Sequence, residues 1–165
     1  MKIYTKVGDK GETMTYGDIK VPKDSWIVDI NGDIDALQAG LDLAKAHIND
    51  ERLKKIIDYI NLKLWQLGGE ISLGGIGKNV TNPIIEEDLE MIESHINSFG
   101  EMPSHFVRFN KLGSVHLNET RVRCRVLERN LTQLLRAELI REVVYKYINR
   151  LSDLLFMMSY YLEKS

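Results

Sequence analysis

Between positions 119 and 129 the chain reads Glu-Thr-Arg-Val-Arg-Cys-Arg-Val-Leu-Glu-Arg. Wound as a helix at ~100° per residue, Arg121, Arg125, Glu128 and Arg129 fall within one sector about 100° wide. Three guanidinium groups on one face form a clamp for phosphate oxygens, which their planar forks can meet two bonds at a time. Glu128 can fix one of those forks or accept a hydrogen bond from a ligand. The same face also suits an ion-pair network at a surface or subunit interface, and residue types alone do not separate the two readings.

Two further groups carry potential chemistry. Near the C-terminus, Asn149 and Asp153 stand four residues apart among Leu151, Leu154, Leu155 and Met158, so a polar pair stacks on one face of an otherwise apolar helix. Such groups are costly to bury without partners. An arginine from the preceding helix would satisfy Asp153 and leave Asn149 to read a ligand; a salt bridge internal to the bundle is the plainer alternative. At the other end lies Thr5-Lys6-Val7-Gly8-Asp9-Lys10-Gly11-Glu12-Thr13. Gly8 and Gly11 permit tight turns whose amides can converge on an anion, Lys6 and Lys10 add point charges, and Thr5 and Thr13 add hydroxyls. It is not a P-loop, because the Gly-Lys-Ser/Thr ending and the preceding strand are missing; it reads as a phosphate-binding loop or as an ordinary solvated one.

Other chemistries find little support. His47, His95, His105 and His116 lack the short spacings of a metal site, and no metal ligands are expected. Cys124 is the single cysteine and can form no internal disulfide. A net charge of -2 and the absence of aromatics interleaved with a basic patch argue against a nucleic-acid partner. No run approaches the roughly 18 apolar residues of a membrane span, and the first residues do not resemble a secretory signal. The expectation is a cytoplasmic protein without a membrane partner.

The elements that must hold these groups are helices. The 165 residues suit one domain, 1–165, with residues 1–25, which lack both helical and strand periodicity, as an N-terminal loop. A first helix is expected from Trp26 to Asp29, or just after Gly32, to about His47, with Asp33 and Asp35 able to cap it or coordinate a ligand. A second runs from about Glu51 to Ser72, with apolar residues three and four apart. A third follows Pro83, its acidic first turn Glu86-Glu87-Asp88 matching the positive end of the helix dipole. A long helix from about Lys111 to Arg141 and a last one from about Glu142 to Glu163 complete an all-α bundle.

Taken in order, Tyr4-Thr5-Lys6-Val7-Gly8-Asp9-Lys10-Gly11, Gly32-Asp33-Ile34-Asp35-Ala36-Leu37, Leu67-Gly68-Gly69-Glu70, the Arg121, Arg125, Glu128, Arg129 pattern, and Asn149-Arg150-Leu151-Ser152-Asp153-Leu154-Leu155-Phe156 resemble the PduO-type ATP:cob(I)alamin adenosyltransferases along nearly the whole chain. The resemblance implies a five-helix bundle of ferritin-like architecture that forms a homotrimer with active sites at subunit interfaces. It implies ATP with Mg2+, and cob(I)alamin or another corrinoid as substrate, the 5′-deoxyadenosyl group passing to cobalt with release of triphosphate. Residues 1–25 would bind ATP, with Thr5, Lys6, Gly8, Asp9, Lys10, Gly11 and Thr13 around the triphosphate. Arg121, Arg125 and Glu128 would carry catalysis with Arg129 beside them, Asn149 would contact ATP, and Asp153 would pair with Arg125. Phe106 would help keep the lower axial ligand off cobalt. A corrinoid reductase and an adenosylcobalamin-dependent enzyme are the implied partners. A noncatalytic nucleotide- or corrinoid-binding protein on the same fold is the alternative.

The chain departs from the family pattern in several places. It has Met14-Thr15-Tyr16-Gly17-Asp18 after the first loop, Ala36 and Gln38 in the first helix, Val126 where a second arginine is usual, and Val107-Arg108-Phe109-Asn110-Lys111-Leu112-Gly113 in place of a Pro-Gly-Gly turn.

Overall fold

The computed structural model describes residues 4, 6–75 and 80–165. Five helices make the body: α1 (Trp26–Ala46), α2 (Glu51–Ser72), α3 (Glu86–Ser98), α4 (Leu112–Arg136) and α5 (Glu142–Lys164). α4 packs along α5 and α1, α2 lies on α1, and α3 lies on α5. Between them sits one apolar core in which Leu37, Leu64, Leu127, Tyr147 and Leu151 are fully buried.

Side-chain carboxylates cap the starts of three helices. Asp50 caps α2, its carboxylate accepting from the amides of Arg52 and Leu53 at 2.8 and 3.1 Å. Asp88, one turn into α3, reaches back to the Ile85 amide at 3.0 Å and also accepts from Tyr59 Oη at 2.6 Å and Lys63 Nζ at 2.8 Å, which fastens α3 to α2. The start of α4 is capped from afar: Glu163 on α5 accepts from the amides of Asn110 and Lys111 at 3.0 and 3.2 Å and from the Ser114 hydroxyl. Close helix approach follows from small residues. A methyl group on Gly40 of α1 would lie 2.8 Å from Thr120 Oγ1 of α4, and one on Gly113 of α4 would lie 2.9 Å from the His47 carbonyl.

Two expectations need correction. The segment 1–25 is not plain loop: it holds a 3-10 turn (Val7–Lys10) and a hairpin pairing β1 (Glu12–Met14) with antiparallel β2 (Lys20–Pro22), Thr13 opposite Val21. Three-residue strands are too short to print a period of two. The long helix also stops at Arg136, short of Arg141. Glu138 adopts φ 55°, a left-handed conformation incompatible with continuing the helix. The remaining boundaries agree closely, α2 matching at both ends.

Candidate functional site

Midway along the bundle, α4 and α5 present Arg125, Glu128 and Asn149 to one another. Glu128 is only 6% exposed, and each of its carboxylate oxygens is used: Oε2 accepts from Arg125 Nη1 at 2.5 Å and Oε1 accepts from Asn149 Nδ2 at 2.8 Å. The i,i+3 spacing on α4 sets the first bond. The rest of the Arg125 guanidinium is open, its side chain 47% exposed. The result is a fork fixed along one edge by a buried carboxylate, with its other N–H groups free for an anion.

Around it, Arg121 on the same face donates from Nε to Asn118 Oδ1 at 3.0 Å. Arg129 is exposed and forms no ion pair among the described residues. The opposite end of Asn149 is also occupied, since Arg150 Nη1 donates to its Oδ1 at 3.0 Å while Arg150 Nε meets Glu93 Oε1 of α3 at 3.0 Å. Sequence reasoning missed both Arg150 and Glu93. Arg150 sits inside a motif but beside the residue that drew attention, and Glu93 is one acidic residue among several on α3.

The expected pair of Asp153 with Arg125 does not form. Arg125 bonds to Glu128, a carboxylate already one turn away on its own helix, and Asp153 forms no ion pair or hydrogen bond among the described residues. Asp153 faces solvent on one side, yet partial burial raises its carboxyl above the usual range. Arg150 opposes that rise, Glu128 reinforces it and Arg125 opposes it again. Cys124, within the same stretch of α4, is fully buried and bonds to the Ile148 carbonyl at 3.4 Å. Burial pushes its thiol pKa upward, so it supplies no reactive thiolate.

The described N-terminal residues form a 3-10 turn leading into the hairpin. Lys6, Asp9 and Lys10 are exposed around the 3-10 turn. The amides of Asp9 and Gly11 bond inward to the carbonyls of Lys6 and Gly8 at 3.4 and 3.2 Å. These two amides therefore shape the turn, and the two lysines are what it offers an anion. Thr13 lies in β1 and Gly8 in the turn; Thr5 falls outside the described residues. Among the described residues, Lys6, Gly8, Asp9, Lys10, Gly11 and Thr13 form no hydrogen bond or ion pair with Arg121, Arg125, Glu128, Arg129 or Asn149. Asp33 neither caps α1, which begins seven residues earlier, nor stays free: its Oδ2 accepts from Asn130 Nδ2 of α4 at 2.6 Å.

Phe106 lies on the irregular segment between α3 and α4 and is 85% exposed, with the Arg108 guanidinium 5.5 Å from its ring centre. Three residues on, Phe109 meets Phe156 of α5 edge-on at 6.2 Å, and Phe156 stacks on Tyr160 at 6.5 Å. A cleft of about 630 Å³ opens beside them between residues 99–105 and the end of α5.

The Glu70 end of the Leu67-Gly68-Gly69-Glu70 motif is structural. Glu70 is 1% exposed and receives both Nε and Nη2 of Arg141, at 2.8 and 2.6 Å, while Arg141 Nη1 donates to the Ile84 carbonyl at 2.7 Å. One arginine thus joins the end of α2, the approach to α3 and the start of α5.

Comparison with known proteins bears on this geometry. Residues 3–162 match the family model described as cobalamin adenosyltransferase. A corrinoid adenosyltransferase of Citrobacter freundii is 31% identical over 163 residues, spanning 96% of this chain and 93% of the relative. One from Bacillus subtilis (strain 168) is 32% identical over 165 residues, covering 94% and 83%. Among solved structures, a variant PduO-type ATP:corrinoid adenosyltransferase from Lactobacillus reuteri complexed with cobalamin and ATP superposes with a TM-score of 0.86 at 27% identity, over 99% of this chain and 91% of that one.

Proposed function

As a chain that belongs to the cobalamin adenosyltransferase family, this protein, we propose, transfers the 5′-deoxyadenosyl group of ATP to cob(I)alamin or a related corrinoid and releases triphosphate. The reading is carried by Arg125, a guanidinium fixed on one edge by buried Glu128 and otherwise open. Its relatives from Citrobacter freundii and Bacillus subtilis are named corrinoid adenosyltransferases, and the Lactobacillus reuteri structure holds cobalamin and ATP.

In this reaction the cobalt(I) lone pair attacks C5′. The cobalt–carbon bond forms as the bond from C5′ to the triphosphate oxygen breaks, and that oxygen keeps the bonding pair. Cobalt passes formally from I to III. The nucleophile is strong as supplied, so no general base is required, and the burden on the protein is alignment and stabilisation of the departing charge. Arg125 and Arg121 on α4 supply positive charge for the triphosphate, with Arg129 a turn beyond. Glu128 holds the Arg125 fork, and Asn149, bonded to Glu128, would contact ATP beside it.

Lys6 and Lys10, with Thr5, Gly8, Asp9, Gly11 and Thr13, would close over the phosphates. Among the described residues Lys6, Gly8, Asp9, Lys10, Gly11 and Thr13 form no hydrogen bond or ion pair with the clamp, and a neighbouring copy would complete a site built from both halves, in keeping with a homotrimer. Val115 and Val122 on α4, 37% and 50% exposed, offer apolar surface beside the arginines for such a contact. A magnesium ion would travel with the nucleotide: the described residues hold no group of three or more potential metal-binding side chains, and both Glu128 oxygens are already engaged. Phe106 and the aromatic cluster of Phe109, Phe156 and Tyr160 give an apolar face for a corrinoid, from which water and axial ligands are kept off cobalt. A corrinoid reductase upstream and an adenosylcorrinoid-dependent enzyme downstream, in the cytoplasm, complete the setting. No helix of the described chain is long and apolar enough to cross a membrane.

The test is an anaerobic absorbance assay that follows loss of cob(I)alamin and appearance of adenosylcobalamin with ATP and magnesium. Product should form with the unaltered protein and fall by about 10²- to 10³-fold in Arg125→Ala, the range for losing one well-placed donor to developing negative charge. Folded protein that makes no product from fully reduced corrinoid would overturn the reading.

A further inference from the structure

Four polar links run in one line across three helices: Glu93 of α3 to Arg150, Arg150 to Asn149 on α5, Asn149 to Glu128, and Glu128 to Arg125 on α4, at 3.0, 3.0, 2.8 and 2.5 Å. The line has a direction that chemistry fixes. An arginine only donates and an ionised carboxylate only accepts, whereas a side-chain amide does both, one at each end. With Arg150 Nη1 against one end of the Asn149 amide, that end has to be the oxygen, and the NH2 turns toward Glu128. Should the amide flip, its oxygen would face the Glu128 carboxylate and its NH2 would face a guanidinium, two repulsive contacts in place of two bonds.

We propose that Glu93 is a positioning residue: by anchoring Arg150 it sets the orientation of the Asn149 amide, and through it the carboxylate of Glu128 that aims Arg125. The assignment rests on the adenosyl-transfer reading of the clamp, and it gives α3, which contributes nothing else to the site, a place in the reaction. The Glu93–Arg150 pair is 44% exposed on both sides, so its bearing on stability is slight. Its effect is directional. Arg150 released from Glu93 can swing into solvent, and Asn149 then loses one of the two neighbours that distinguish its ends, leaving Glu128 alone to hold the amide.

Four variants of the full chain test this: Glu93→Ala, Glu93→Gln, Asn149→Ala and the Glu93→Ala, Asn149→Ala double. Glu93→Ala should lower kcat by roughly three- to fivefold while KM for the corrinoid stays within about twofold, the size set by one exposed pair acting on the barrier. Glu93→Gln, which still offers an oxygen to Arg150, should restore most of that loss. In the Asn149→Ala background, removing Glu93 should add nothing, because the group it orients is gone. Independent, additive losses would overturn the proposal, as would a Glu93→Ala enzyme equal to the unaltered one. The side-chain amide ¹H–¹⁵N resonance of Asn149 gives a readout free of substrate. It should move in Glu93→Ala and return toward its original position in Glu93→Gln, and a resonance that ignores Glu93 would sink the relay. If the unaltered protein transfers no adenosyl group yet this resonance responds as described, the transfer reading fails and the relay stands.

Discussion

Arg141→Ala is the perturbation whose cost can be worked most directly from the structure. The side chain of Glu70 is 2% exposed and both its oxygens are taken by Arg141, through Nε at 2.8 Å and Nη2 at 2.6 Å, with the third guanidinium nitrogen on the Ile84 carbonyl at 2.7 Å. Truncating Arg141 strands a carboxylate that solvent cannot reach, a loss that typically costs about 3–5 kcal/mol. Against a total stability of about 5–15 kcal/mol for a domain, that is a large share. For a chain of this length it corresponds to a fall in Tm of roughly 10 °C. Urea unfolding and calorimetry would measure both. The companion double variant, Glu70→Leu with Arg141→Met, removes both charges and should recover most of the loss, because apolar groups of similar volume can replace a buried pair. A cost under about 1 kcal/mol for Arg141→Ala, the size of an exposed pair, would refute the claim that Arg141 satisfies a buried carboxylate and holds three segments together.

Phe106→Ala should leave stability within about 0.5 kcal/mol, as expected for an exposed side chain, and leave ATP affinity intact while slowing adenosylcorrinoid formation; calorimetric ATP binding beside the absorbance assay separates the two. Three bonds from Ser114 and the amides of Asn110 and Lys111 hold the Glu163 carboxyl down at about 2, against an ordinary 4.5. A depressed carboxyl stabilises the fold above its unfolded pKa, so the stability gap between the unaltered protein and Glu163→Gln should be full at neutral pH. It should close as pH falls from about 4.5 toward 2, read by urea midpoints across that range. Gly40→Ala gains about 0.8–1 kcal/mol of helix propensity but drives a methyl group to 2.8 Å from Thr120 Oγ1, an overpacking that costs about 1–3 kcal/mol. A net loss that Thr120→Ala relieves is expected, and a more stable Gly40→Ala protein would show the α1–α4 crossing to be looser than drawn. Asp153→Asn should raise the thermal midpoint at pH 7, because partial burial makes the ionised form of Asp153 unfavourable in the folded state; the gain should vanish once both pKa values are passed on acidification.

What could be read without coordinates were the features written within one or two turns of helix. The three- and four-residue spacing of Leu53, Ile56, Ile57 and Ile60 placed α2, and the Arg121, Arg125, Glu128, Arg129 sector placed the clamp. The break between α4 and α5 was not legible. Ala137, Glu138 and Leu139 are good helix formers, and the chain turns there because Glu138 goes left-handed while Arg141 is drawn to Glu70, 71 residues away. The same range of action explains the misplaced ion pair. Four-residue spacing on α5 singled out Asn149 and Asp153 and left Asp153 in want of an arginine, but Arg125 had a nearer carboxylate on its own helix.

Residue types therefore picked out candidate groups, while their direction came from partners that no local pattern reveals. Glu128 could be recognised as a holder of arginine, yet which arginine it holds and which way Asn149 points depend on Arg150, and Arg150 depends on Glu93, 57 positions earlier in the chain. The N-terminal loop obeys the same logic at a larger scale. Its lysines and glycines read as a phosphate loop, but two of its amides close on its own carbonyls, which leaves Lys6 and Lys10 as the exposed cationic groups around its 3-10 turn. In the proposed homotrimer a neighbouring copy would bring its Lys6 and Lys10 to the triphosphate held at Arg125, so the direction of that second cationic group, like that of Asn149, would be set by a partner that no local pattern in the sequence reveals.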